Sequence, residues 1–310
     1  MRYKNNKHTD ISKCYLCKSS QISKFYKKKS ISKCSSCKFI FYDKLPSKDE
    51  LDSVYSNYSR ETYITSASHN KLVQILSEII NSNSIKKVLD IACGECYHLD
   101  ALKEIDPHLE LYATEHESAK ANVLSKGFQF IDGEFYPKTD IKFDLIIFTE
   151  AIEHINDPLE FLANAHELLS PNGLIYMTTP CITSLERILM GDQWGMIDPP
   201  EHLSYFGKRS MHYALKRSGF SKVYSRSLNI SMFRIIEYFN NKSAQISDSS
   251  NDEQRKYWSP QAASNKAQNI ISSNIIFRFL KSSANLVLDI TGLGSSLQIL
   301  YKKNNILKRY

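Results

Sequence analysis

"VLDIACGECYHLDAL", residues 88–102, decides the fold. A short apolar strand, Lys87 to Ile91, stops at Ala92-Cys93-Gly94-Glu95-Cys96, and helix-forming residues continue through Leu102. A strand, a tight glycine turn and a helix start together make one unit of an open α/β sheet. Such a turn brings backbone N–H groups and a helix N-terminus to the carboxyl end of the strand, where open parallel sheets bind ligands.

The same alternation extends in both directions. Upstream, Lys71 to Ile80 has Leu72, Ile75, Leu76 and Ile79 at helical spacing. Downstream, Leu109 to Thr114, Phe128 to Ile131 and Phe143 to Phe148 read as strands, with Ser118 to Leu124 helical. Leu174 to Thr178 follows a turn at Pro171-Asn172-Gly173, and Phe220 to Arg226 and Ser296 to Tyr301 add two more strands. The expected fold is α/β, a Rossmann-like, doubly wound, mostly parallel seven-stranded sheet. Glu115 closes the second strand, where a carboxylate is placed to accept both hydroxyls of a ribose.

The expected organisation has four parts. Residues 1–45 form a small cysteine module, and 46–68 a linker with a short helix carrying Leu51, Val54 and Tyr55. Residues 69–235 form the nucleoside-binding core, and 236–310 a polar loop, a helix and a final strand that complete it. Asn240 to Asn265, rich in Ser, Asn and Gln, reads as the loop, and about Ile270 to Val287 as the helix. The apolar residues Ile271, Ile275, Phe279 and Leu286 of that helix suit packing on the sheet, or a membrane-surface or dimer face.

In the first module Cys14-x-x-Cys17 and Cys34-x-x-Cys37 stand 16 residues apart. Two such knuckles can present four thiolates tetrahedrally to one zinc ion, a closed and therefore structural site. A segment this short has few aliphatic residues to hold it together otherwise. The module carries 12 Lys or Arg against Asp10 and Asp43, a net +10, so the remainder is −3 against the whole-chain +7. That charge suits a polyanion, or simply a solvated lysine-rich face. The N-terminus is polar and lacks a signal-peptide core, and no run approaches the roughly 18 apolar residues of a membrane span. A cytoplasmic location without a membrane span is expected, with the cysteines as thiols or metal ligands.

The chemistry concentrates behind the fourth strand, in "TEAIEHINDP", residues 149–158. Helical spacing would put Glu150, Glu153 and His154 on one face of a single turn, with His202 of "DPPEHLSYF" arriving from the loop after the fifth strand. Three readings are open. The group could hold a divalent cation that lowers the pKa of a substrate hydroxyl. His154 could act as a metal-free general base oriented by Glu153. Or Glu153 and His154 could pin the turn to the His202 loop by hydrogen bonds.

These stretches, with "YATEHES", "FDLIIFTEAIEHINDPLEFLANAHELLSPNGLIYMTTP" and "DPPEHLSYF…LKRSGF", resemble class I S-adenosylmethionine-dependent methyltransferases. The similar branch contains the ubiquinone-biosynthesis O-methyltransferases and bacterial glycan-cluster methyltransferases. The resemblance spans roughly residues 14 to 226 and lies in the order of the motifs. It implies that Asp90 and the turn Ala92, Cys93, Gly94 and Cys96 meet the methionine part of S-adenosyl-L-methionine. It implies further that Glu115 holds the ribose, that Gly133 and Glu134 lie near the adenine, and that Thr149 and Glu150 line the sulfonium end. In similar enzymes the E-x-x-E-H pattern binds a metal. One departure stands out: the family's turn has glycine at three alternate positions, here Ala92, Gly94 and Cys96, and a side chain at 96 could crowd the cofactor.

The expected function is methyl transfer from S-adenosyl-L-methionine to a hydroxyl of a small molecule or glycan precursor, in cell-surface polysaccharide or secondary metabolism. The alternatives are an RNA 2′-O-methyltransferase using the basic zinc module as its clamp, and a non-catalytic methyltransferase-like scaffold.

Overall fold

The computed structural model describes residues 11–44, 46, 66–245 and 275–304. Its centre is a seven-stranded sheet. The strands are β4 (Lys87–Ile91), β5 (Glu110–Thr114), β6 (Gln129–Phe130), β7 (Phe143–Thr149), β8 (Leu169–Pro180), β10 (Phe220–Leu228) and β11 (Ser296–Lys303). Their order is β10-β11-β8-β7-β4-β5-β6. The pairs β4–β5, β4–β7, β5–β6 and β7–β8 are parallel, and β11 runs antiparallel to both β8 and β10. The expected mostly parallel, seven-stranded α/β sheet is what forms.

The central strands read as continuous apolar runs because both faces are covered. Leu145 and Ile147 of β7 pack into one layer with Leu76 and Ile79 of α1 (Ser66–Asn81) and Leu99 and Leu102 of α2 (Tyr97–Ile105). Ile146 and Phe148 point to the other face, among Phe161 and Leu162 of α4 (Pro158–Leu168) and Met211 and Leu215 of α6 (Lys208–Arg217). α3 (Lys120–Ser125) adds Val123 to the first of these layers.

β4 starts the sheet in the middle. The chain runs outward through β5 and β6, then returns to β7 on the opposite side of β4. That reversal opens a crevice at the carboxyl ends of β4, β5 and β7, where doubly wound folds take their ligands.

A second sheet is formed by β1 (Ile22–Tyr26), β2 (Ile31–Cys34), β3 (Ile40–Tyr42) and β9 (Ser204–Tyr205), in that order and wholly antiparallel. Three of its strands come from the cysteine module and the fourth from the loop after β8. Phe39 stacks on Phe41 with ring centroids 5.5 Å apart and lies 5.0 Å from Phe206. The module's apolar side thereby joins the core that covers the large sheet.

Several local expectations shift. Pro171-Asn172-Gly173 is not a free turn but a kink inside β8: Asn172 is left-handed (φ +65°), and the pairing with β7 skips from Leu169 to Leu174. The polar stretch from Asn240 does not begin as a loop. Residues 240–245 continue α7 (Met232–Gln245), because no Gly or Pro breaks the helix there. Residues 246–265 lie outside the described ones, as does the short helix expected with Leu51, Val54 and Tyr55. The last helix, α8 (Ile275–Thr291), runs further than expected and stops at Gly292 (φ +71°). Leu286 on it faces solvent while Leu288 is buried, and residues 270–274 are not described. Among the described residues no helix is long and apolar enough to cross a membrane.

Candidate active site

Two edges meet in the crevice. The first is local in sequence. Asp90, at the end of β4, is 1% exposed, and its Oδ2 has no hydrogen-bond partner, with His98 Nδ1 3.5 Å away. The turn behind it is left-handed three times, at Ala92 (φ +55°), Gly94 (φ +53°) and Cys96 (φ +63°). Each of the two non-glycine residues costs on the order of 1 kcal/mol there, strain of a kind kept at ligand sites.

Glu115 ties this turn to β5: its Oε2 accepts from Gly94 N–H at 2.8 Å and its Oε1 from His116 N–H at 3.0 Å. Both carboxylate oxygens thus accept from backbone N–H groups, which fixes the side chain at the crevice. Cys96 does not intrude on the turn's outer side. It is fully buried with Cys93 among Leu99 and Leu102, the two Sγ atoms 3.6 Å apart, so both thiols belong to the core. Gly133 has a different reason for being glycine: a Cβ there would lie 2.3 Å from the carbonyl oxygen of Tyr136, at φ +103°. The carbonyl of Glu134 accepts from Thr114 Oγ1, which holds this turn against β5.

The second edge is assembled from distant segments. Thr149 ends β7, and Glu150 turns the chain through φ +48° into a short 3-10 helix, Ile152–His154. The expected α-helical turn carrying Glu150, Glu153 and His154 on one face is therefore not formed. A left-handed residue cannot open an α-turn, and Leu203 N–H of the distant loop takes the Glu153 carbonyl at 2.8 Å. Glu150 accepts from Thr178 Oγ1 at 2.8 Å and Glu153 from Thr179 Oγ1 at 2.8 Å, two neighbours on β8. Glu150 is open to solvent, yet burial within the surrounding protein raises its pKa. Glu153, buried and beside the charge of Glu150, is raised well above the ordinary carboxylate range.

His202 completes the group. One ligand atom each from Glu153, His154 and His202 lies within 4.8 Å of the others, and the two imidazoles are 4.8 Å apart edge to face. Nδ1 of His154 is 3.0 Å from the Glu201 carbonyl oxygen, and Nδ1 of His202 is 2.9 Å from that of Met196. A carbonyl can only accept, so both Nδ1 atoms carry a proton and both Nε2 atoms are turned away from these carbonyls. Burial and His202 hold the His154 pKa down to about 3, so this ring is neutral at physiological pH. The neutral His154 ring, the His202 ring with its Nδ1–H held in the same way and the buried Glu153 carboxyl are a group that could hold a metal ion. Thr178, Thr179 and the carbonyls of Met196 and Glu201 escape the sequence reading. The Thr-Thr pair at a strand end was the one visible signal.

In the module, Cys14 and Cys37 Sγ lie 3.5 Å apart, Cys17 and Cys34 Sγ 3.4 Å apart, and all four within 4.8 Å of one another. A tetrahedron with Zn–S of about 2.3 Å has edges near 3.8 Å, so the four sulfurs fit zinc. Lys18 and Lys38, each following a knuckle, are left-handed and let Cys14 O and Cys34 O accept their N–H groups.

A methyltransferase domain family matches residues 63–225, more than half of the chain. The chain is 29% identical to a ubiquinone biosynthesis O-methyltransferase of Histophilus somni over 34% of its own length and 50% of that protein. It is 29% identical to one of Coxiella burnetii over 30% of its length and 43% of that protein. It thus spans about half the length of the curated relatives it matches. Among solved structures, a SAM-dependent methyltransferase from Archaeoglobus fulgidus superposes with a TM-score of 0.48 at 17% identity, covering 76% of this chain and 95% of that one. With the family's motifs at the carboxyl ends of β4, β5 and β7, the chain belongs to the methyltransferase domain family and carries a class I S-adenosylmethionine-dependent methyltransferase domain.

Proposed function

We propose that this chain methylates a hydroxyl oxygen of a small molecule or glycan precursor, using S-adenosyl-L-methionine and a divalent cation. The observation that carries the reading is the convergence of Glu153, His154 and His202, with both histidines turned by backbone carbonyls to offer Nε2. The relatives named as ubiquinone biosynthesis O-methyltransferases support oxygen as the acceptor atom.

S-adenosyl-L-methionine supplies an electrophilic methyl group, and the cation supplies charge that lowers the pKa of an acceptor hydroxyl. The residues do the rest. Asp90, with an unsatisfied buried oxygen, is suited to a cationic amine, and Glu115 to the ribose hydroxyls. Thr149 and Glu150 border the methyl group's exit from β7. Glu153, His154 and His202 would hold the cation, and Thr179 and the carbonyls of Met196 and Glu201 keep them aligned. A ring with a pKa near 3 is a weak proton acceptor, which favours His154 as ligand over His154 as metal-free base.

The RNA alternative loses some of its support. Two of the module's lysines are engaged internally, Lys24 with Asp43 at 2.7 Å and Lys29 with the Ile197 carbonyl at 2.6 Å. His154→Ala tests the proposal with labelled cofactor and hydroxyl-bearing acceptors. Methyl transfer should disappear while calorimetry still detects cofactor binding; full activity would sink both the cation and the base readings.

A further inference from the structure

His202 sits on a loop held partly by its own bonds, such as His202 N–H to the Asp198 carbonyl at 3.0 Å, and partly by the cysteine module. β9, two residues long, is too short to persist alone and exists because β3 supplies a partner: Phe41 pairs with Ser204 and Ile40 with Tyr205. Tyr42 N–H donates to the Leu203 carbonyl at 2.9 Å, and Leu203 N–H donates to the Glu153 carbonyl at 2.8 Å. A run of two hydrogen bonds therefore leads from the module to the backbone of a cation-cluster residue, passing through the neighbour of His202. On the flank, Lys29 Nζ donates to the Ile197 carbonyl at 2.6 Å, next to the Met196 carbonyl that orients His202. Tyr205 OH donates to the His202 carbonyl at 2.7 Å.

β3 is itself held by the cysteines. β2 ends at Cys34, and Cys34 N–H donates to the Phe39 carbonyl at 2.8 Å just before β3 begins. Four thiols gathered within 4.8 Å without a metal would leave β2 and β3 joined by three register pairs and by the packing of Phe39 and Phe41, with no metal bonds to fix the Cys34–Phe39 turn between them.

We propose that the four-cysteine module is a positioning device for the acceptor edge. Zinc at Cys14, Cys17, Cys34 and Cys37 fixes β3, β3 fixes Leu203–Tyr205, and these fix His202 and the Glu153 backbone. Zinc occupancy then governs divalent-cation affinity at the Glu153/His154/His202 cluster and leaves cofactor affinity unchanged. The cation arm of this proposal rests on the function proposed above, whereas the backbone-exchange arm does not.

The experiment compares the full chain with Cys34→Ser/Cys37→Ser, measuring zinc content, S-adenosylmethionine binding by calorimetry, Mn²⁺ binding by paramagnetic resonance and amide hydrogen exchange. The wild-type chain should carry one zinc. The double variant should lose it, keep cofactor Kd within about 3-fold, weaken Mn²⁺ binding at least about 10-fold and lose amide protection at residues 203–206. Tyr42→Pro, which deletes the donor to Leu203, gives a second arm if the double variant fails to bind cofactor. It should keep zinc and lose the same protection. Unchanged protection at 203–206 in the cofactor-competent variant, or a wild-type chain without zinc, overturns the proposal. Wild-type protein that binds no Mn²⁺ refutes the cation reading alone, and exchange at 203–206 still decides the clamp.

Discussion

The two edges of the crevice are built in opposite ways. The cofactor edge spans residues 90–116 and is closed by one carboxylate, Glu115, gripping the turn one strand away. The acceptor edge draws on β7, β8, the loop at 196–203 and, through β9, a module more than 150 residues upstream in sequence. A local motif suffices for a nucleoside shared by a large family. The acceptor side draws on distant segments, each of which leans on the next through hydrogen bonds and pairing.

Glu153→Gln should divide the two edges most sharply. Removing the carboxylate from the cation cluster is expected to lower kcat by about 10³-fold or more while calorimetric cofactor affinity holds. The same change removes a buried carboxylate whose ionisation folding opposes, so the metal-free variant should melt higher than wild type at neutral pH. An unchanged kcat would break the comparison. Glu115→Ala should do the reverse. Losing a charged acceptor for the ribose and the Gly94 N–H is expected to weaken cofactor binding by about 30- to 100-fold, with kcat at saturation nearly kept.

The acceptor edge also predicts how the metal-free protein responds to pH. The native state keeps Glu153 protonated above the ordinary carboxylate range, so stability falls as pH rises through that window. It keeps His154 neutral down to about pH 3, whereas the unfolded chain takes up that proton near 6.5. Stability therefore also falls as pH drops from 6.5 towards 3, by on the order of a few kcal/mol. Melting temperatures measured across this range should lose the acid limb in His154→Gln and the alkaline limb in Glu153→Gln. The smallest effect is expected of Thr179→Val, which removes one hydroxyl donor from Glu153: Mn²⁺ affinity should fall about 10-fold, with cofactor binding untouched.

What the sequence made legible follows the same division. The strand–turn–helix at Lys87–Leu102 and the carboxylate at Glu115 depend on short-range pattern, and both emerged where expected. That Glu153, His154 and His202 would come together was also legible, since "TEAIEH" ends a buried strand and "DPPEHL" follows the next one. Their geometry was not. Periodicity assigns an α-turn to Glu150–His154, whereas the left-handed Glu150 and the hydrogen bond from Leu203 N–H to the Glu153 carbonyl accompany a tight 3-10 turn. The β3–β9 pairing could not be read at all. Two residues in "LSYF" carry no strand signal until the module presents them with an edge.

Phe39, Phe41 and Phe206 share one aromatic seam beneath the second sheet. Excising the family-matched region at residues 63–225 as a portable fragment would strip Phe206 of its partners and bare a greasy scar beside the catalytic loop. Cap and sheet share a single interior, so neither can be cut away without exposing the other's apolar side.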